Sequence, residues 1–279
     1  PSIGGVNGPN LSDAVVGRLA AVLARVLETG SSESSVPSEP GGPEMRRLAL
    51  SGATAVLPAV LALQQLQERV RAHDGADSWN GLLHRRCLMI LSGSGEAASE
   101  AFQNSPGPSL RRIVHAEWEL IRAVVEVRVG GRQWRVVHEL ARRIPVDRPA
   151  TAVRGKLTEL GAGFDPPDDG AFYRLGSDDI AAWAEATGDR NAIHLLPGRA
   201  ARAGLQVGPD DVVAHGLLVG ALSLAVCAPS TRHQTSLRFT GPVEVPIPRQ
   251  DGRGQWASLA VSPGAGDVVQ GGRPVLRRR

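Results

Sequence analysis

The chain has 279 residues, 42% of them hydrophobic and 21% charged, a balance typical of folded globular proteins that leaves room for disorder only locally. Its formal charge is +3, and since Lys156 is the only lysine, arginine carries the basic character; with aromatics at 4% and the arginines dispersed, a nucleic-acid-binding surface is not expected. The length exceeds one average domain, and 33 glycines and 20 prolines point to many turns and loops.

The first ten residues are rich in Gly, Pro and Asn, and Leu11 to Glu28 reads as an amphipathic helix. Asp13, Arg18 and Arg25 interrupt its apolar face, so it does not resemble a secretory leader. Thr29 to Pro43 is low in complexity and cannot bury enough apolar surface to order itself, so residues 1–44 read as a helical appendage and a flexible linker. From Ser51 to His73, Leu57, Leu61, Leu66 and Val70 recur at helical spacing, with Pro58 in the first turns and Arg69 and Arg71 near the C-terminal end. Cys87 to Leu91 and the alternating segments from Ile113 to Ile144 read as strands. Val125, Val127 and Val129 lead into Gly130-Gly131, and the apolar pattern resumes over Trp134 to Val137, which predicts an antiparallel hairpin with a primed turn. These elements form a unit spanning residues 45–160. Within it, Gly93-Ser94-Gly95-Glu96-Ala97-Ala98 matches a dinucleotide fingerprint, with Glu117 at a ribose-contact distance along the chain. The helix it would open has to stop before Pro106 and no strand–helix alternation follows, so a nucleotide fold is set aside.

Gly161 to Gly170 suggests a second linker, and residues 171–279 repeat the order of helix then strands. Ser177 is placed to cap a helix whose first turn holds Asp178 and Asp179, whose apolar positions are Ile180, Ala184 and Thr187, and which Gly188 ends in a left-handed cap. Val212 to Ala228 is apolar but just short of a membrane span and contains His215, Gly216 and Gly220, which predicts a buried core helix and no membrane association. Thr235 to Phe239, Val243 to Ile247, Trp256 to Val261 and Pro274 to Leu276 are predicted strands. A helix apolar nearly all round is best covered by an antiparallel sheet wrapped about it, so the fold class is α+β. Cys87 and Cys227 lie far apart in apolar runs, which predicts free thiols and a reducing, cytoplasmic setting.

The chemistry concentrates in Thr187-Gly188-Asp189-Arg190-Asn191-Ala192-Ile193-His194, where a carboxylate, an amide and an imidazole leave a helix end together. Water is a poor nucleophile: one group must take its proton as it attacks, and a second must protonate the carbon left carbanionic. Asp189 and His194 fit these roles in either order, and Asn191 can hold the water or tie down the loop. Gly216 opens the apolar helix, where unpaired backbone N–H groups and a positive dipole can meet a developing oxyanion. Packing or capping explains each of these residues singly, but not their joint spacing. Val213, Ala214, His215 and Leu217 flank that helix start as candidate substrate-binding residues. No Gly-x-Ser-x-Gly elbow, Cys-x-x-Cys pair or His-Glu-x-x-His helix occurs, and no metal site is expected.

The stretch from Tyr173 to Val226, with Ser177-Asp178-Asp179-Ile180, then Ala184-x-x-Thr187-Gly188-Asp189-x-Asn191-x-Ile193-His194, then Val213-Ala214-His215-Gly216-Leu217-Leu218, resembles the MaoC-like (R)-specific enoyl-CoA hydratases and 3-hydroxyacyl-thioester dehydratases. The resemblance implies a hotdog fold, a catalytic Asp189–His194 dyad and an oxyanion-binding N–H at Gly216. It also implies that Arg238, in Arg238-Phe239-Thr240-Gly241-Pro242-Val243, lies near the thioester pocket, where it can touch carrier phosphates or simply occupy a strand edge. The expected activity interconverts a trans-2-enoyl and an (R)-3-hydroxyacyl thioester of coenzyme A or acyl carrier protein, without metal or redox cofactor, in a homodimer or double-hotdog monomer. Ala192 stands where the family carries proline, Leu196 where aspartate is common, and Pro246-Ile247-Pro248 where a Gly-Asp pair follows the Pro-Val strand, which touches pocket shape rather than the reaction. Residues 45–160 carry no Gly-Asp-x-Asn-x-x-His and read as a degenerate hotdog half making room for an acyl tail; residues 171–279 read as the catalytic half. A hotdog thioesterase, or a silent acyl-thioester-binding subunit, are the alternatives.

Overall fold

Two helices of different character organise the core of the protein, seen in a computed structural model that describes residues 11–30, 42–93, 109–144, 171–229, 233–248 and 256–279. Helix α1 spans Leu11–Glu28 and α2 spans Pro43–Asp74. After a 3-10 turn at Ala76–Trp79 come strands β1 (Leu83–Gly93), β2 (Ser109–His115), β3 (Trp118–Val129), β4 (Arg132–Arg143) and β5 (Ala171–Gly176). Then follow α3 (Ser177–Thr187), the one-turn helices α4 (Ala192–Leu195) and α5 (Arg199–Arg202), β6 (Val212–Val213) and α6 (Gly216–Val226). Strands β7 (Gln234–Phe239), β8 (Glu244–Val245), β9 (Trp256–Val261), β10 (Val268–Gln270) and β11 (Arg273–Arg278) complete the chain. The first ten residues, most of the linker predicted at Thr29 to Pro43, the Ser94 to Ala98 part of the fingerprint and the Gly161 to Gly170 linker lie outside the described residues.

Nine strands form one antiparallel sheet in the order β2-β3-β4-β1-β7-β11-β10-β9-β5. Outward from the central β1–β7 pair, the strands after α2 run β1-β4-β3-β2 and those after α6 run β7-β11-β10-β9, the same order on each side. Each helix is thus followed by an equivalent meander, and the two meanders meet at β1–β7. Gly130 and Gly131 take φ of 55° and 75° at the β3–β4 hairpin, as the sequence predicts, and Gly271 and Gly272 take the same pair of angles at β10–β11. Only glycine adopts two successive left-handed positions without steric cost, and that backbone matches the twist of the flanking strands.

Helix α6 is buried from Leu217 to Ala225 without a break, as its uniform apolarity requires. Helix α2 is long and apolar enough to cross a membrane, but over half of its most apolar window is buried inside the protein, which identifies a core helix. It begins eight residues before the predicted Ser51, so Pro58 lies in its interior rather than in its first turns. The two helices cross at Gly52, where a Cβ would stand 2.6 Å from the Ala221 carbonyl oxygen and 2.7 Å from the Ala225 Cβ.

The expectation that α1 is an appendage is overturned. Leu19, Leu23, Val26 and Leu27 are fully buried in the common core, where α1 packs on α2 and α3. The Thr29 hydroxyl accepts from Arg174 N–H at 2.8 Å, and Arg25 pairs with Asp179 at 3.2 Å. The cap of α3 is corrected as well: Gly176 is the N-cap and Ser177 the first helical residue, while Asp179 reaches back to accept from Gly176 N–H at 3.1 Å. Gly188 ends α3 in the left-handed conformation.

Candidate active site

The turn after α3 bends the chain back, so that Asp189 is buried under α2 and α6 instead of continuing outward. Its Oδ1 accepts from the Trp79 indole N–H at 2.9 Å and from Asn191 N–H at 3.3 Å. Oδ2 has no donor at hydrogen-bonding distance among the described residues and lies 4.0 Å from His215 Nε2. Burial by itself raises the pKa of Asp189, but His215, His194, the Trp79 bond and the Asn191 amide outweigh it and hold the carboxyl below its ordinary value.

Asn191 caps α4, accepting from Ile193 N–H at 3.4 Å and from Gly81 N–H at 3.0 Å, while its amide donates to the Leu82 carbonyl at 2.9 Å. Of the two roles read from the sequence, the structure places it as the tie: both ends of the amide are occupied by backbone. Helix α4 then carries His194 toward β6, where Nδ1 lies 2.7 Å from the Val213 carbonyl. A carbonyl only accepts, so Nδ1 bears the hydrogen and a neutral His194 keeps its lone pair on Nε2. His215, the N-cap of α6, donates from Nε2 to the Asp189 carbonyl at 3.0 Å, which leaves its buried Nδ1 unpartnered. The rings of His194 and His215 stack with centroids 3.8 Å apart. Burial keeps both neutral; with the neighbouring His194 it pushes His215 down to about 3, and it lowers His194 despite the opposing pull of Asp189.

Asp189, His194 and His215 offer ligand-type atoms all within 4.8 Å of one another, close enough to enclose one small species, a water or a cation. Gly216 completes the wall from the first turn of α6, and a Cβ there would approach Phe239 at 3.1 Å and His84 at 3.2 Å. These groups face a cleft of about 70 Å³. Val213, Ala214, His215 and Leu217 line it. Arg238 does not: alternation along β7 sends Leu237 into the core and turns Arg238 to the opposite face of the sheet, where it lines a separate groove.

Three contributors escaped the sequence reading, Trp79, His84 and Gln64, and all come from the first half of the chain. Gln64 on α2 donates to the Thr187 carbonyl at 2.8 Å. His84 Nε2 bonds His138 Nδ1 at 2.9 Å, and with the buried Cys87 this pair forms a second cluster of metal-ligand types. A bulge at Arg85 shifts the β1 register against β4 so that His84 and Cys87 share the face of His138. No local pattern marks these residues, because their partners lie tens to a hundred positions away.

A long helix packed on a meander, repeated across one antiparallel sheet, is the double-hotdog architecture that the motif resemblance predicted, the fold of the MaoC-like proteins. Two crystal structures of HtdX from Mycobacterium tuberculosis share it over 95% of this chain and 93% and 94% of theirs, with TM-scores of 0.52 and 0.51 at 19% and 22% identity. Peroxisomal multifunctional enzyme type 2 from Drosophila melanogaster matches 94% of this chain over 45% of its own, at 17% identity and a TM-score of 0.48; a MaoC-like dehydratase matches 97% at 17% identity and 0.43, and neither likeness is close enough to carry weight. No protein-family model matches the sequence, and no curated protein matches it. At these identities the likeness to HtdX establishes the fold; the reaction has to be argued from the cleft.

Proposed function

We propose that the chain is a MaoC-like hydratase/dehydratase that interconverts a trans-2-enoyl thioester and an (R)-3-hydroxyacyl thioester, with the water site between Asp189 and His194. The observation that carries this reading is the convergence of Asp189 Oδ2, a neutral His194 and the α6 N-terminus at Gly216 on one cleft. With the carboxyl ionised and the imidazole neutral, both groups accept at rest, so a water held between them points its oxygen lone pair at C3 of the enoyl chain. Neither group holds a free proton to give, so the acid role that the sequence assigns to a second group falls back on the base. As the C3–O bond forms, one of the two takes a proton from the water and returns it to C2 while the other holds the water, and the site regains its starting charge without exchanging protons with solvent. Negative charge that collects on the thioester oxygen during the step is met by the Gly216 N–H and the positive end of α6. The sequence moves protons only and calls for no metal or redox cofactor. Residues 171–279 supply these groups, and the half formed by residues 45–160 serves as the wall against which the acyl tail lies.

A thioesterase would use the same oxyanion donor but direct water at the carbonyl carbon. The two are separated by giving the wild-type protein a 2-enoyl thioester and following both the enoyl absorbance and free thiol. Loss of absorbance without thiol release is the expected result. Thiol release would establish the thioesterase, and binding with neither change would establish a silent subunit.

A further inference from the structure

On its inner face the sheet carries a group of side chains that the proposed reaction does not use. Cys87 of β1 stands directly opposite His138 of β4, so both project from one face, and the bulge at Arg85 brings His84 to that face as well. Residues three apart on a regular strand point to opposite faces, so without the bulge His84 would turn away. The two imidazoles and the thiol offer metal-ligand atoms that all lie within 4.8 Å of one another, with His84 Nε2 and His138 Nδ1 at 2.9 Å. Cys87 and His138 are fully buried, and among the described residues His138 Nε2 has no hydrogen-bond partner.

A hydrogen bond between the two rings does not satisfy them. The backbone of Arg86 favours a hydrogen on the His84 ring, and that of Ala59, on α2, favours one on the His138 ring. With the inner nitrogens turned to each other, those hydrogens belong on the outer ones. Burial keeps both rings neutral, with one hydrogen apiece. Whichever ring donates to the other spends its hydrogen there and leaves its outer nitrogen bare. A cation held by His84 Nε2 and His138 Nδ1 removes the conflict, because each ring then keeps its hydrogen outside, as metal-bound histidines do. Imidazole and thiolate suit a borderline-soft divalent ion, not the hard calcium or magnesium. We propose that His84, Cys87 and His138 form a zinc site, with the fourth position open to the cleft that His84 lines. Tetrahedral zinc, with bonds of about 2.0–2.1 Å to nitrogen and about 2.3 Å to sulfur, sets neighbouring ligand atoms about 3.4–3.6 Å apart. His84 and His138 part by about half an ångström to receive it, and the thiol closes by little more than about 1 Å at most, giving up its proton as a coordinating thiol does. Zinc there ties β1 to β4 and fixes the His84 ring, which packs on Phe239 beside Gly216. The sequence expectation of no metal site is thereby reversed; no local motif announces this one, since 54 positions separate His84 from His138.

The test strips the whole chain with a chelator and titrates it with Co²⁺ as a spectroscopic probe and with Zn²⁺ in competition. A single equivalent of Co²⁺ is expected to raise the near-ultraviolet charge-transfer band of a cobalt–thiolate bond, and Zn²⁺ should abolish that band and raise the melting temperature. Cys87→Ser should lose the band and Cys227→Ser should keep it. His138→Gln should weaken zinc binding by about a hundredfold or more, beyond the loss that follows removal of a group that only orients a ligand. If either core variant fails to fold, His84→Ala, at the half-buried end of the cluster, takes its place and should weaken zinc by as much. No thiolate band in the wild type, a band that survives Cys87→Ser, or zinc affinity unchanged by loss of a histidine overturns the proposal and leaves a hydrogen-bonded histidine pair. Metal held only by Asp189, His194 and His215 would bind without the sulfur band, and so also overturns it. None of these measurements needs turnover, so the zinc site stands or falls separately from the hydration of a thioester.

Discussion

Trp79 reaches Asp189 from 110 residues away and sets the state of its carboxylate. The indole N–H stabilises the ionised form, so Trp79→Phe should raise the Asp189 pKa and move the acid limb of the pH–rate profile to higher pH. A hydrogen bond to a charged group contributes about 1.5–3 kcal/mol, which predicts a tenfold or greater fall in turnover on that limb and little change on the plateau; an unshifted limb would show that Asp189 is tuned by other groups. Asn191 tests the opposite kind of role. Asn191→Ala leaves the Gly81 N–H and Leu82 carbonyl without the partners that tie the two halves, and should cost about 1–3 kcal/mol in urea unfolding. What was legible at this scale was the cluster itself, because Asp189, Asn191 and His194 sit within six positions of each other. Trp79, Gln64 and His84 were not, because nothing in their own neighbourhoods distinguishes them from packing residues. Arg238 was legible as a charge, and its face became clear only from the strand register.

At the scale of elements, the crossing of α2 and α6 depends on the absence of one side chain. Gly52→Ala would put a methyl 2.6 Å from a backbone oxygen that cannot move without shifting α6, and α6 carries Gly216 at its start. The expected loss is about 1–3 kcal/mol of stability, with a drop in activity beyond that seen for an equally destabilising change elsewhere on α2; a variant as stable as wild type would remove Gly52 from the account. The sequence disclosed those elements whose periodicity is long or whose turns demand glycine: the β3–β4 hairpin, α3 with its left-handed cap, and α6. It hid β10, three residues long, although Gly271-Gly272 repeats the signal of Gly130-Gly131. It also misplaces α1, since a low-complexity linker separates that helix from the rest along the chain but not in space. Closing even a long loop costs little more entropy than closing a short one, and the apolar face of Leu19, Leu23, Val26 and Leu27 repays that cost.

For the whole molecule, the buried histidines make stability depend on pH. His138 and His215 are pushed down to about 3 mainly by burial, whereas in the unfolded chain they titrate near the ordinary value of about 6.5. Between those values the unfolded chain binds more protons, so stability rises with pH, and acidification below about 6.5 removes it progressively toward 3. Asp189, held below its ordinary value, acts in the same direction but lower: its contribution is present above the unfolded pKa and is lost as pH falls through the folded one. The urea midpoint should therefore fall already between about pH 7.5 and about pH 5.5, before any carboxylate titrates. A midpoint that is flat over that interval would mean these rings take up protons in the folded state.

Asp189 is the group on which the whole account turns, and a change of one atom isolates it. Asp189→Asn keeps the volume and the acceptor for Trp79 while removing the charge and the proton-accepting oxygen, so the fold should persist. The decisive measurement is the decay of enoyl-thioester absorbance catalysed by wild type and by Asp189→Asn at equal folded concentration. Hydration by the wild type and a loss of at least a hundredfold in the variant are expected, in the range that follows removal of one positioned acid–base group. Turnover by Asp189→Asn close to that of the wild type would contradict that expectation.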